Sequence, residues 1–433
     1  MRAEPRWYRI AVAVVLVLLA AILLWNAYAF NHERGYDGPA HIRYADYVSE
    51  EHRIPGKDYQ GYYSPPLFYA LAGFAMRLAE PHITVEEKVV QGMNAVVVFA
   101  TALLLLATVR LLFPGRRVLH LAALAGFALV PVVTRTGAMF HPEPLDMLVS
   151  LAGLHLAARM LVHRRLDARH AIATGLALGL AQLVRQFGLY ALGAVVLAFG
   201  AAALWRLAPR RRTLAMLAVV VATTAATTAP WYVYQASRFS NPIFDQPQPD
   251  EPLWKRRPLS FYVDPGLPEL FTDPARPSFV NRFFPTAYSE LWGDYFGIWT
   301  WNAALAPQPD AAELRELRLQ AIVGVAPTIL SLVGLAAALA AVRRRPEVAL
   351  FGFHAVLGAL GLLYFAIAYP TIDGDTIKAT FMVAATPAWA ICFGLGAERA
   401  IRRLLPLGSR VVVPVAAFAG ALVLADVCTI VYG

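Results

Sequence analysis

The chain has 433 residues, of which 58% are hydrophobic and only 15% charged. A soluble domain carries roughly a quarter charged residues, so a water-soluble globular protein is excluded. The formal net charge of +9 sits in short arginine clusters between apolar runs, a pattern that excludes a nucleic-acid footprint and reads as membrane topology.

Met1–Arg9 is basic and Ile10–Leu24 is apolar, as in a signal peptide. The apolar run continues to Phe30 with no small-x-small cleavage pattern, so a retained first membrane helix is expected. A bilayer core needs roughly 20 apolar residues per helical span. About eleven such stretches are expected, at 8–30, 88–113, 118–136, 144–163, 170–184, 187–206, 213–232, 319–341, 348–369, 377–398 and 411–431. The expected fold is therefore an all-α polytopic membrane protein with one transmembrane domain over residues 1–433. Cys392 and Cys428 lie in apolar spans without metal-ligand spacing and read as small core residues.

Basic residues set the orientation. Arg2, Arg6 and Arg9 precede the first span, and Arg116–Arg117, Arg164–Arg165, Arg210–Arg212, Arg343–Arg345 and Arg402–Arg403 fall at every second connection. By the positive-inside rule the N-terminus is cytoplasmic and the C-terminus external. Arg185–Gln186 interrupts a long apolar run. Reading it as a turn keeps the alternation intact; a single span with a buried arginine is the other reading.

Two long connections then lie outside: a first loop at 31–87, and a second at 232–318 rich in proline and aromatics such as Trp254, Phe261, Phe283, Trp292, Tyr295, Phe296, Trp299 and Trp301. In the first, Asp37 to His52 reads as a helix with Asp37 at the N-cap and Pro39 in the first turn. Asp37 and His41 are four apart and share a face. Spacing alone supports two readings: a cap with a surface histidine, or a carboxylate general base at the membrane surface with His41 beside it to bind an anion or orient it. Pro65–Pro66 starts a second short helix carrying Leu67, Phe68, Leu71, Phe74 and Leu78, which suits an interfacial position.

An acidic residue just after the first span, an amphipathic helix, the Pro65-Pro66-Leu67-Phe68-Tyr69 segment and then the second span resemble the GT-C glycosyltransferases. The pattern is most similar to bacterial relatives of protein O-mannosyltransferases and lipid A aminoarabinose transferases. That resemblance implies an inverting transferase in the bacterial inner (plasma) membrane with its active site on the external, periplasmic face. It would move a sugar from a polyprenyl-phosphate donor to a lipid, glycan or protein acceptor. Membrane lipids are its surroundings, and nucleic acid is not a partner.

The resemblance assigns Asp37 as general base and places the family's second acidic residue at Glu143, in His141-Pro142-Glu143-Pro144. Glu143 also reads simply as a carboxylate at the positive start of a helix. His141 and Asp146 are acceptor or metal contacts on this reading. A divalent metal is compatible with these residues but not required by them, and two ligands two apart are weak grounds for one. Arg185 at a break between spans, Lys378 before the last-but-one span, and His41 are assigned to the donor phosphate. The other readings are an arginine snorkelling to the interface and an interfacial lysine anchor. Asp373 and Asp375 read as solvated.

Ala229-Pro230-Trp231-Tyr232 with Asn241-Pro242 resembles a signature that opens the family's large external loop. Two departures stand out. Phe381 occupies a position where the family often has tyrosine, and Tyr63-Ser64-Pro65-Pro66 stands where aminoarabinose transferases carry an acidic-Lys-Pro segment. The second argues against that specific activity. Alternatives to the transferase reading are a lipid or glycan transporter or flippase, and an oligosaccharide ligase using a diphosphate-linked donor. No internal repeat supports a transporter.

Overall fold

A computed structural model describes residues 4–404 and Gly420, except residues 34, 36, 81, 84, 240, 242, 247, 280, 281, 294–309 and 372–375. The expected span at 411–431, Cys428, the loop aromatics Tyr295, Phe296, Trp299 and Trp301, and Asp373 and Asp375 lie outside the described residues.

No strand occurs among the described residues. The chain opens with α1 (Arg6–Ala29), whose last carbonyls are taken up by Lys88: its Nζ donates to the carbonyls of Ala27, Tyr28 and Phe30 at 3.2, 2.9 and 2.6 Å. These are groups that a helix end leaves without intrahelical partners. Two short helices follow, α2 (Gly38–Glu51) and α3 (Leu67–Ala79). They pack together through Tyr44 and Tyr69, whose rings stack at 3.9 Å. The other face of α3 leaves Leu71, Phe74 and Leu78 exposed, as an interfacial helix requires.

The bundle continues with α4 (Glu87–Leu112), α5 (Arg117–Ala128), α6 (Pro131–Thr136), α7 (Glu143–Val162), α8 (Ala168–Val184), α9 (Gly188–Leu204) and α10 (Arg210–Arg238). The short pieces α11 (Leu259–Val263), α12 (Glu269–Thr272) and α13 (Phe283–Trp292) come next, and α14 (Ala311–Ala340), α15 (Pro346–Ala368) and α16 (Thr386–Leu404) close the described fold.

Among the described residues, seven helical segments are long and apolar enough to cross a membrane, judged by length and composition. They answer seven of the eleven expected spans. Of the other four, one lies outside the described residues and three differ for physical reasons. The expected span at 118–136 is two helices, because Pro131 forces Val130 out of the helical region to ψ 115°. The Arg185 break yields α8 and α9 of 17 residues each, so the reading as a turn holds. One of the seven answered segments, Ala379–Leu404, begins as a 3-10 helix and becomes α16 only at Thr386.

The second loop is shorter than expected at both ends. α10 runs on past Pro230 to Arg238. α14 begins at Ala311, held by a capping box in which Asp310 accepts from the Ala312 and Glu313 amides while Glu313 accepts from the Asp310 amide.

The arginine clusters gather at one end of the bundle. Arg116 pairs with Glu398, Arg345 reaches the Leu112 carbonyl at 2.5 Å, and Arg212 reaches the Leu166 carbonyl at 2.5 Å. The starts of α2 and α7 and the α8–α9 and α15–α16 connections lie at the other end.

Small residues let the helices meet. α14 and α16 touch backbone to backbone: a Cβ at Gly334 would overlap the Cys392 carbonyl, and one at Gly396 the Leu330 carbonyl. Close approach through small residues drives helix association where lipid offers no hydrophobic gain. Gly396→Leu should therefore force the two helices apart and cost about 1–3 kcal/mol or more. A clear drop in the detergent-solubilised melting temperature is expected; an unchanged one would mean that this contact does not form.

Candidate active site

Asp37 sits at the N-cap position of α2, yet its side chain makes no cap bond. This corrects the reading of Asp37 as a capping residue. Its backbone is left-handed, at φ 59° and ψ 16°, a conformation that asparagine and aspartate tolerate better than other non-glycine residues. The carboxylate is turned away from the helix. Oδ1 accepts from Gln60 Nε2 at 3.0 Å and Oδ2 from Lys378 Nζ at 3.2 Å. The Asp37 side chain keeps 38% of its surface accessible. Burial by its surroundings raises its pKa, but the charge of Lys378 outweighs this and holds the carboxyl at about 2. Asp37 is thus an ionised group at neutral pH, tied to a lysine.

One turn on, His41 is buried, with Nδ1 2.8 Å from the Tyr69 hydroxyl. Its ring meets that of His141 edge-on at 4.7 Å. Burial first, then the charges of His141 and Arg185, push its pKa well below the ordinary histidine value. His41 is therefore neutral. It offers an anion a neutral hydrogen bond. Its Nε2 is buried without a hydrogen-bond partner.

The helix α7 starts at Glu143, with Pro144 in its first turn. Glu143 is fully buried. Its carboxylate lies against His141 Nδ1 and accepts from Arg185 Nε at 2.8 Å. Arg185 comes from the break between α8 and α9. Its Nη1 donates to Ser64 Oγ at 2.9 Å, and its guanidinium lies 5.4 Å from the Phe187 ring centroid. Nη2 makes no hydrogen bond among the described residues. Asn94 fixes the approach to α7 by donating to the carbonyls of Met139 and His141 at 2.8 and 2.9 Å. Asp146 is one turn deeper and fully buried; Oδ1 accepts from Ser150 at 3.1 Å, and Oδ2 has no hydrogen-bond partner.

All seven residues singled out in the sequence thus stand in one neighbourhood at one end of the bundle. They form two linked parts: the rim pair Asp37–Lys378, and a buried group of His41, His141, Glu143 and Arg185, with Asp146 beneath. Among the described residues, no three His, Cys, Asp or Glu side chains converge as a metal cage. Glu143 is already engaged by Arg185 and His141, so the described residues of this group, as placed, leave no set of ligands for a metal.

Several partners carried no sequence signal. Ser64 and Gln60 look like ordinary loop residues. Gln186 ties the two loops by donating to the Tyr63 and Ile243 carbonyls at 2.9 and 3.0 Å. Asp245 accepts from Tyr62 and pairs with Lys57 at 3.2 Å. Arg135, buried on α6, reaches the Gly293 carbonyl at 2.5 Å and anchors the second loop at the end of α13.

No protein-family model matches the chain, and no curated protein matches it by sequence. Solved structures match it by shape. The apo oligosaccharyltransferase of Archaeoglobus fulgidus gives a TM-score of 0.61 at 15% identity, covering 99% of this chain and 57% of that one. The same protein tethered to an acceptor peptide containing the NVT sequon gives 0.59 at 15% identity, covering 98% and 55%. ArnT from Cupriavidus metallidurans bound to undecaprenyl phosphate gives 0.51 at 18% identity, covering 92% and 61%. The chain spans about three fifths of the length of these structures. It shares their fold, which is the GT-C fold that the sequence pattern implies.

A buried ion pair that loses one member leaves an uncompensated charge, at a cost of about 3–5 kcal/mol. Glu143→Gln or Arg185→Gln alone should each destabilise the protein on that scale. The double variant should cost clearly less than the sum of the two. Thermal unfolding of all three in one detergent checks this; strict additivity would mean that the two side chains do not pair.

Proposed function

Taking the GT-C fold as the premise, we propose that this protein transfers a sugar from a polyprenyl-phosphate carrier to an acceptor hydroxyl at the external membrane face. The observation that carries the reading is the ionised Asp37 carboxylate held by Lys378 beside the Arg185 group. The undecaprenyl phosphate bound to ArnT supports a lipid-phosphate donor. On this reading the lipid tail lies among the helices of a bacterial plasma membrane. The N-terminus is cytoplasmic, and the acceptor enters under the second loop.

The chemistry needs a base, a cation for the leaving group and a dry, fixed geometry. Asp37 accepts the proton of the acceptor hydroxyl. The hydroxyl oxygen then attacks the anomeric carbon as the bond from that carbon to the phosphate oxygen breaks, with inversion. The departing phosphate takes the electron pair, and Lys378 and Arg185 stabilise its charge. Arg185 has Nη2 to offer while Nε and Nη1 stay on Glu143 and Ser64. His41 and His141 orient the groups around them.

Lys378 links the two halves of this scheme. Without donor it neutralises Asp37 and makes it a weak base. A phosphate that draws Lys378 away lets the carboxyl rise toward the ordinary aspartate value of about 3.9. The base would thus strengthen when the donor is in place.

A second reading rests on the likeness to the oligosaccharyltransferase: a ligase taking a glycan from a diphosphate carrier. Donor choice separates the two, and movement of a lipid without covalent product would support a flippase instead.

Asp37→Asn, reconstituted with a polyprenyl-phosphate-linked sugar, should keep its fold and lose transfer by at least about 100-fold. Transfer at the wild-type rate would sink the base assignment. The pH dependence supplies a separate check. Asp37 has a depressed pKa, so its ion pair with Lys378 stabilises the protein fully above the unfolded value of about 3.9 and is lost as pH falls toward about 2. Lys378→Met leaves burial unopposed by that charge. The acid limb of the residual rate profile should move to higher pH; an unmoved limb would mean that Lys378 does not set the Asp37 titration.

A further inference from the structure

The end of the bundle opposite Asp37 holds a cavity of about 310 Å³ between the ends of α4, α7, α9 and the start of α15. Its size falls in the usual range for small-ligand sites, about 300–1,000 Å³. The lining combines two kinds of group. Leu111, Leu161, Val162 and Leu207 supply apolar wall, while Arg164, Arg344 and Arg345 supply charge, set against a single carboxylate, Glu347.

That carboxylate is spoken for. Arg345 Nε donates to Glu347 at 2.9 Å, its Nη2 reaches the Leu112 carbonyl, and its guanidinium lies 5.1 Å from the Phe113 ring centroid. Arg345 is therefore part of the wall. Arg164 and Arg344 are different: both are exposed, and the side chain of neither makes a hydrogen bond or ion pair among the described residues. Arg164 sits in a left-handed backbone conformation at φ 54°, at the tight turn that ends α7. Two unneutralised guanidiniums thus line one cavity, and the first turn of α15 adds the positive end of a 23-residue helix.

We propose that this cavity binds the headgroup of an anionic phospholipid from the leaflet on the arginine-rich side. The charge calls for a phosphate, for which arginine is the best-suited side chain. The apolar wall and the position at the ends of the spans call for a ligand with acyl chains. A soluble phosphate would use the first feature and leave the second without purpose. The lipid would brace α4, α7, α9 and α15, whose far ends carry or adjoin Glu143, Arg185 and Lys378. The site is independent of the activity proposed above.

The test uses the full-length protein in a neutral detergent, titrated with phosphatidylglycerol and read by native mass spectrometry and melting temperature. Phosphatidylglycerol should bind and raise the melting temperature, while phosphatidylcholine should not. R164Q/R344Q should weaken binding by about tenfold or more, since each basic residue near a lipid surface contributes roughly a fivefold factor. The control R210Q/R211Q removes two exposed arginines from the same end but outside the cavity, and should bind as the wild type does. A208W fills the cavity while keeping both arginines, and should also abolish binding. Equal phosphatidylglycerol affinity in wild type, R164Q/R344Q and A208W would overturn the proposal. So would an equal loss in the control, which would mark diffuse charge attraction. Inorganic phosphate producing the full shift by itself would make this a soluble-anion site and overturn the lipid assignment.

Discussion

The buried contact between Arg185 and Glu143 is the point on which the polar end of the bundle depends. A guanidinium at a helix break, at the depth where water gives way to protein, has to be matched in charge and geometry. Glu143 supplies the charge, and Ser64 and Phe187 take up further faces of the cation. The pair therefore ties the start of α7 to the α8–α9 turn and draws the first loop onto both. His141 is held against the same carboxylate, and His41 meets His141 edge-on. Remove the pair, and the two histidines, Ser64 and the Tyr69 platform lose the object around which they are arranged.

The rim pair answers to a looser constraint. Asp37 and Lys378 lie 341 positions apart and meet near solvent. Their attraction is weakened by water in a way that the buried pair's is not. The site thus joins a fixed inner half to an outer half whose partners can change. That difference suits the reaction proposed above, in which a phosphate has to enter, displace an internal partner and leave again.

Much of this was legible in the sequence, because a bilayer imposes simple rules. Apolar run length gave the long helices, and the arginine alternation placed their ends. The break at Arg185–Gln186 followed from that alternation. Helix ends in the second loop were not legible from hydropathy. α10 runs beyond Pro230 because a proline inside a helix does not always end it, and α14 starts early through Asp310 and Glu313, a local capping pattern outside the apolar window. In the site, the charged residues stood out because charge is rare in this chain. Their partners did not. Ser64, Gln60 and Tyr69 matter through where folding puts them, and no spacing rule connects Ser64 to Arg185 across 121 positions.

The left-handed backbone at Asp37 has a consequence for how this position can vary. Aside from glycine, that corner of conformational space is entered readily only by residues whose short polar side chain can bond nearby, chiefly asparagine and aspartate. Of these, aspartate alone carries a carboxylate. Glutamate, one methylene longer and otherwise its chemical equal, has no such conformational licence. The turn after α1 therefore narrows the alphabet at position 37 to a single acid before any reaction is considered, so that the shape of the chain and the proposed chemistry of the site ask for the same residue on separate grounds.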